Sequence, residues 1–164
     1  MFIIKRRPYL IGLAREIFYN LANPVQSFYW FLFRPYRPGA KTFLFANKKL
    51  LLVRIGYKHK RFVLPGGGIQ KEEPVDAAIR ELYEEAGIKI TNPDYIGKCN
   101  YTNQYKKVTV FYYTKEIYEE DIIIDGQEII DAGWFDLNDL PKNVAPRLIE
   151  ELEMYNNWKI TQKI

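Results

Sequence analysis

The sequence predicts a mixed α/β sandwich, with strands around a central helix and a second helix closing the chain. Three observations predict it. Short runs rich in β-branched, aromatic and aliphatic residues recur over residues 42–64 and 88–135. Between them, residues 74–86 change to a helical period, and residues 146–158 do so again at the end. With 164 residues, 48% of them hydrophobic, the chain is long enough and apolar enough for one buried core.

Residues 1–40 read as a basic, aromatic extension ahead of the domain proper, residues 41–164. Pro8, Pro24, Pro35 and Pro38 punctuate two helix-like runs at about residues 9–21 and 25–33. No stretch reaches the roughly 18 uninterrupted apolar residues of a membrane span, and the early charges fit poorly with a secretory signal. Residues 42–46 and 50–55 read as a hairpin joined at the polar tip Asn47, Lys48 and Lys49, and residues 62–64 as a third strand ending at Pro65. The helix of residues 74–86 carries proline in its first turn and Gly87 where a C-terminal cap belongs. Strands are expected at residues 88–90, 94–101, 107–114 and 128–135, and a final helix at residues 146–158, again with proline at its start. The single cysteine, Cys99, excludes an intrachain disulfide, so the cytoplasm is the expected compartment and a small buried side chain the expected role.

Charge is divided unevenly. Residues 1–71 hold 14 Lys or Arg against one acid, Glu16, whereas residues 72–164 hold 10 against 19. One end therefore attracts polyanions and the other can hold cations.

The acidic half concentrates its charge on the first helix. At about 100° per residue, Glu81, Glu84 and Glu85 share an arc of about 100°, while Val75, Ile79, Leu82 and Ala86 form an apolar stripe on the opposite side. Ala77 lies on the carboxylate arc and is small enough to leave it open, so this arc is expected to face away from the packing. Like charges at i+3 and i+4 cost roughly 0.2–0.5 kcal/mol per pair, and within the helix only Arg80 offsets them. A divalent cation turns this repulsion into binding, and hard oxygen ligands suit Mg2+, with Mn2+ as an alternative. Just upstream, Gly66, Gly67 and Gly68 let backbone approach a phosphate or a metal closely.

Together these residues form a known pattern. Gly66, five residues, Glu72, seven residues and then Arg80-Glu81-Leu82-Tyr83-Glu84-Glu85-Ala86-Gly87-Ile88 match every fixed position of the Nudix box. From about Lys41 to the C-terminus the chain resembles the Nudix hydrolase family, including Leu64-Pro65 and a late strand and turn over residues 128–141. One departure is a compact Gln70-Lys71-Glu72 after the three glycines, which leaves open whether the carbonyl of Gly66 or of its neighbour faces the metal.

The resemblance implies an α/β/α sandwich of mixed sheet, with a catalytic helix and a C-terminal helix. It implies a Mg2+-dependent hydrolase that cleaves a diphosphate linkage with water. Glu81, Glu84, Glu85 and a glycine carbonyl, that of Gly66, would ligate the metal, and Arg80 would orient carboxylates, including Glu72. Candidates for the base are Glu81, Glu120 and Glu128. Gly67, Gly68 and Tyr105 are candidate substrate contacts, Tyr105 because it lies 17 residues beyond Ile88. Lys58, Lys60, Arg61, Lys106 and Lys107 are candidate polyphosphate contacts, and His59 is expected to be passive.

The expected partner is a small phosphorylated substrate, a nucleoside diphosphate derivative, with homodimerisation possible. The alternatives are an RNA 5′-end pyrophosphohydrolase that tracks a nucleic-acid backbone with its basic extension, and a membrane- or partner-associated protein. In the latter, Phe2, Ile3, Phe18, Phe28, Trp30 and Phe33 lie on anionic lipid beside Lys5, Arg6, Arg7 and Arg34. Otherwise Phe28, Trp30 and Phe33 bury against the domain or a second subunit, leaving Arg34 and Arg37 at the surface.

Overall fold

A computed structural model describes residues 5–6 (backbone only), 35–56, 60–103, 105–118, 121–124, 126 and 128–162. The strands are β1 (Lys5–Arg6), β2 (Tyr36–Ala46), β3 (Lys49–Ile55), β4 (Phe62–Val63), β5 (Gly66–Gly68), β6 (Asp94–Asn103), β7 (Lys106–Ile117), β8 (Ile123–Ile124) and β9 (Ile129–Asp136). The helices are α1 (Pro74–Ala86) and α2 (Arg147–Thr161). The expected helix-like runs in residues 9–33, the burial of Phe28, Trp30 and Phe33, and the roles of Lys58, His59 and Glu120 all lie outside the described residues.

The expected hairpin forms. Asn47 and Lys48 both take positive φ, 49° and 63°, the backbone that matches a two-residue turn to strand twist. It closes with Phe45 opposite Leu50 and Ala46 opposite Lys49. The main sheet runs β4-β3-β2-β7-β6, with β5 added to β2 and β9 to β3. It is mixed, as expected: β2 runs parallel to β7 from Tyr36↔Lys107 to Ala46↔Ile117, and its other pairings are antiparallel. A second sheet of two short strands pairs β1 with β8 in parallel.

Period-2 alternation divides the core between the two faces. Leu44, Leu51 and Val53 pack with Leu82 and Ala86 of α1, whereas Phe43, Phe45, Leu50 and Leu52 pack with Leu148 and Tyr155 of α2. The helices thus cover opposite faces, completing the sandwich. Among the described residues no helix is long and apolar enough to cross a membrane.

Several boundaries differ from expectation. β2 begins at Tyr36, so residues 36–40 belong to the sheet and not to the extension, because pairing with β7 and β5 outweighs the breaker tendency of Pro38 and Gly39. Residues 88–90 form no strand. Their apolar alternation instead reflects burial of Ile88 and Ile90 in the α1-side core, on a connection that ends at Asn92 with positive φ.

Helix α1 begins with Pro74 in its first turn and ends at Gly87, whose left-handed φ of 74° lets its N–H reach the Tyr83 carbonyl at 2.9 Å. The apolar stripe is inward at Leu82 and Ala86, but Val75 and Ile79 are only partly covered. Ala77 and Ala78 are fully buried against Ala40 and Tyr113. The carboxylate arc is therefore not open: its small residues let the helix lie close to β2 and β5. Glu84 stays exposed, while Glu81 and Glu85 are largely covered by protein.

Candidate active site

Strand β5 brings three successive glycines beneath α1. Its register with β2 is Gly39↔Gly68, Ala40↔Gly67 and Lys41↔Gly66, extended on either side by Thr42 N–H to Pro65 O and Ile69 N–H to Pro38 O, both 3.0 Å. In an antiparallel ladder, hydrogen-bonded and non-bonded pairs alternate. Ala40 and Gly67 therefore address each other, and the backbone groups of Gly66 and Gly68 point to the outer edge. Two contacts agree: the Gly66 N–H donates to Glu85 Oε2 at 2.8 Å, and the Gly68 carbonyl accepts from Arg80 Nη2 at 3.1 Å. By the same alternation the Gly66 carbonyl, not that of Gly67, is free of β2.

The glycines are not equivalent. A Cβ on Gly66 would lie 2.2 Å from the Ala40 carbonyl oxygen and 2.7 Å from Lys41 Cα, at a φ of 148° that side chains rarely adopt. On Gly67 it would lie 2.5 to 2.6 Å from the Glu81 carboxylate, whereas on Gly68 it meets nothing within 4 Å.

Arg80 is the hub. Its Nε and Nη2 donate to Glu72, the shortest bond being 2.6 Å, and its Nη1 donates to Glu81 Oε1 at 2.8 Å and Glu84 Oε2 at 3.0 Å. Bonding to Arg80 holds the Glu72 carboxyl below its ordinary range, and Glu72 and Glu81 push the guanidinium pKa up.

The inner carboxylates behave oppositely. Burial raises the Glu81 pKa, Arg80 counteracts this, and the charges of Glu84 and Glu128 add to the rise. Burial likewise pushes Glu85 up to about 8; the Gly66 N–H and Lys41 oppose the shift, while Glu81 and Glu128 reinforce it. Glu128, just before β9, is thus electrostatically part of the cluster, and its carbonyl accepts from Gly56 N–H at 2.7 Å.

Among the described residues no three acidic, histidine or cysteine side chains converge as a ready-made metal cage. Arg80 holds one oxygen each of Glu81 and Glu84, and the Gly66 N–H holds one of Glu85. The donor set still fits a divalent cation: hard oxygens only, with buried carboxylates whose charge is under-compensated.

Tyr105 does not join this constellation. It is half exposed in the turn between β6 and β7, with a φ of 66°. It lies five positions before Val110, the residue level with Gly39, a distance of about 16 Å along the strand. Counting along the chain passes over a hairpin with longer arms than expected, and these carry Tyr105, Lys106 and Lys107 outward.

A second polar group is invisible to motif reasoning. Lys41, Tyr112 and Glu151 meet on the α2 face of the sheet. Its one signal is that Glu151 shares the apolar spacing of Leu148, Leu152 and Tyr155.

The NUDIX domain model matches residues 35–155. The chain belongs to this family. The matched range begins next to the start of β2. An NAD-capped RNA hydrolase of Citrobacter koseri is 30% identical over 112 residues, 65% of this chain and 43% of that protein. A human diphosphoinositol polyphosphate phosphohydrolase 3-beta is 33% identical over 99 residues, 57% of this chain and 58% of that protein. The chain thus spans about half the length of these curated relatives. Among solved structures, a MutT NUDIX hydrolase from Burkholderia pseudomallei matches with a TM-score of 0.65 and 22% identity, covering 73% of this chain and 97% of that one, a likeness of fold. NUDIX proteins generally need a divalent metal ion.

Proposed function

We propose that this NUDIX protein is a Mg2+-dependent hydrolase that cleaves a diphosphate linkage in a small phosphorylated molecule, a nucleoside diphosphate derivative. The observation that carries the reading is the group of Glu81, Glu84, Glu85 and Glu128 beside the outward-facing edge of the glycine strand. Glu81, Glu84 and Glu85 with the Gly66 carbonyl would hold the metal, Mn2+ being a substitute. When bound, the metal neutralises the diphosphate and acidifies a bound water.

The chain's own residues do the rest. Arg80, anchored by Glu72, orients Glu81 and Glu84. Glu81 and Glu128 are the candidates to take the proton from the attacking water; burial and like charge leave Glu81 more basic than an ordinary carboxylate, which suits that task. Gly67 and Gly68 line the approach, and a Cβ on Gly68 would meet nothing within 4 Å. A lone, partly buried cysteine beside Met154 fits a cytoplasmic protein.

The test is a screen of NAD, ADP-ribose, dinucleoside tetraphosphate, diphosphoinositol phosphate and 5′-capped RNA, with Mg2+, Mn2+ or chelator. Release of a nucleoside monophosphate or of inorganic phosphate from at least one compound is expected, with loss of activity in chelator and in Glu84→Gln. Turnover that survives both treatments would overturn the reading.

A further inference from the structure

The α2 face of the sheet holds a charged group that the carboxylate chemistry does not use. Along β2, Ala40 and Leu44 face α1, and Lys41, Phe43 and Phe45 face α2. There Glu151 Oε1 accepts from Lys41 Nζ at 2.8 Å and from the Tyr112 hydroxyl at 2.9 Å. The Glu151 side chain is 3% exposed and that of Lys41 21%. Burying a carboxylate costs several kcal/mol, and a well-packed apolar set in place of such a group is as stable or more so. Stability alone therefore does not explain the triad. Its geometry does something apolar residues cannot: it fixes one ammonium.

That ammonium has a telling position. Lys41 is the cross-strand partner of Gly66, and a Cβ on Gly66 would lie 2.8 Å from Lys41 Cγ, so the lysine stem runs against the glycine whose N–H reaches Glu85. Its charge is felt at Glu85. One turn before Glu151 on α2, Arg147 stacks 3.5 Å over Tyr101 of the same cluster and pairs with Glu150 at 3.9 Å. Beside Lys41, Gly39 and Gly68 pair across the strands without side chains, and the space over Gly68 is open. An ammonium has three donors, and the bond to Glu151 takes one of them.

We propose that Lys41 is a substrate-binding residue whose ammonium, positioned by Glu151 and Tyr112, contacts phosphoryl oxygens of the diphosphate on the α2 side of the glycine strand. This rests on the diphosphate reading of the carboxylate site. Glu151 and Tyr112 act through Lys41 and are positioning residues.

The test measures binding of methylenediphosphonate, a non-hydrolysable diphosphate, by calorimetry in Mg2+, alongside hydrolysis of the substrate panel. Lys41→Met alone strands a buried carboxylate, so the informative variant is Lys41→Met/Glu151→Leu, which removes both charges together. It should melt somewhat below wild type but stay folded, because the buried Tyr112 hydroxyl loses its acceptor, bind the probe about 10-fold or more weakly, and raise KM with little change in kcat. Lys41→Arg should restore part of the affinity. Wild-type Kd in the double variant, or a wild-type protein that does not bind the probe, overturns the proposal. A wild-type protein that binds the probe and hydrolyses nothing overturns the hydrolase reading, while weakened binding in the double variant would still support Lys41.

Discussion

Helices α1 and α2 lie on opposite faces of one sheet, and each turns a carboxylate inward, but with different partners. Helix α1 sets Glu85 against a glycine N–H and Glu81 against Arg80, the residue just before it. Helix α2 sets Glu151 against Lys41 and Tyr112, from two different strands. The first arrangement leaves negative charge under-compensated, as the raised Glu81 and Glu85 carboxyls register. The second is closed by a full positive charge. A buried carboxylate left wanting a cation reads as a ligand, and one already holding a cation reads as a means of aiming it.

The largest expected effect strikes the first arrangement. Glu84→Gln should lower turnover roughly 10²–10³-fold, the scale of losing one well-aligned electrostatic contact. Its pair with Arg80 is exposed and of the i,i+4 kind, so the melting temperature should stay near wild type, while the rise in melting temperature on adding Mg2+ should shrink. Normal turnover in this variant would remove Glu84 from the metal site.

Next come substitutions that damage the fold under the same helix. Leu82 is fully buried, so Leu82→Ala should cost about 2–5 kcal/mol, read as a fall in melting temperature of roughly 5–15 °C. Gly66→Ala should be comparably harmful, since its collisions are with backbone that cannot swing aside. An unchanged melting temperature in Gly66→Ala would mean that β5 is not seated as described.

The smaller effects separate chemistry from packing. In Gly67→Ala the new methyl meets the mobile end of Glu81, so stability should hold largely while turnover falls as Glu81 is displaced. Gly68→Ala meets nothing and should change the melting temperature by less than about 0.5 kcal/mol equivalent. Measured together, the three alanine variants should rank Gly66, Gly67, Gly68 in lost stability, and a different order would break the account of the glycine strand.

Much of this first arrangement was legible in the sequence because it is local. The proline, the capping Gly87, the carboxylate spacing and the glycine triplet all fall within residues 66–88, where helix geometry alone sets which residues share a face. The same geometry misjudged what the carboxylate arc faces, since it cannot know that Ala77 and Ala78 let β2 and β5 come close. It also placed Tyr105 by counting residues through a hairpin of unknown length. The second arrangement joins residues 110 positions apart, and a lysine within a strand gives no local sign that it points into the protein.

The parallel pairing of β2 with β7 bears on how the chain acquires its form. Its partners, from Tyr36 and Lys107 onward, lie 71 positions apart, and the hairpin of β2 and β3 is the local contact available before them. Sheets built on such distant pairing close slowly, because loop entropy is lost before the contacts compensate it. During synthesis the strand carrying Lys41 waits for β7 to emerge, and Lys41 itself for α2. The two arrangements around the glycine strand are therefore completed at different times, the motif-bearing one first.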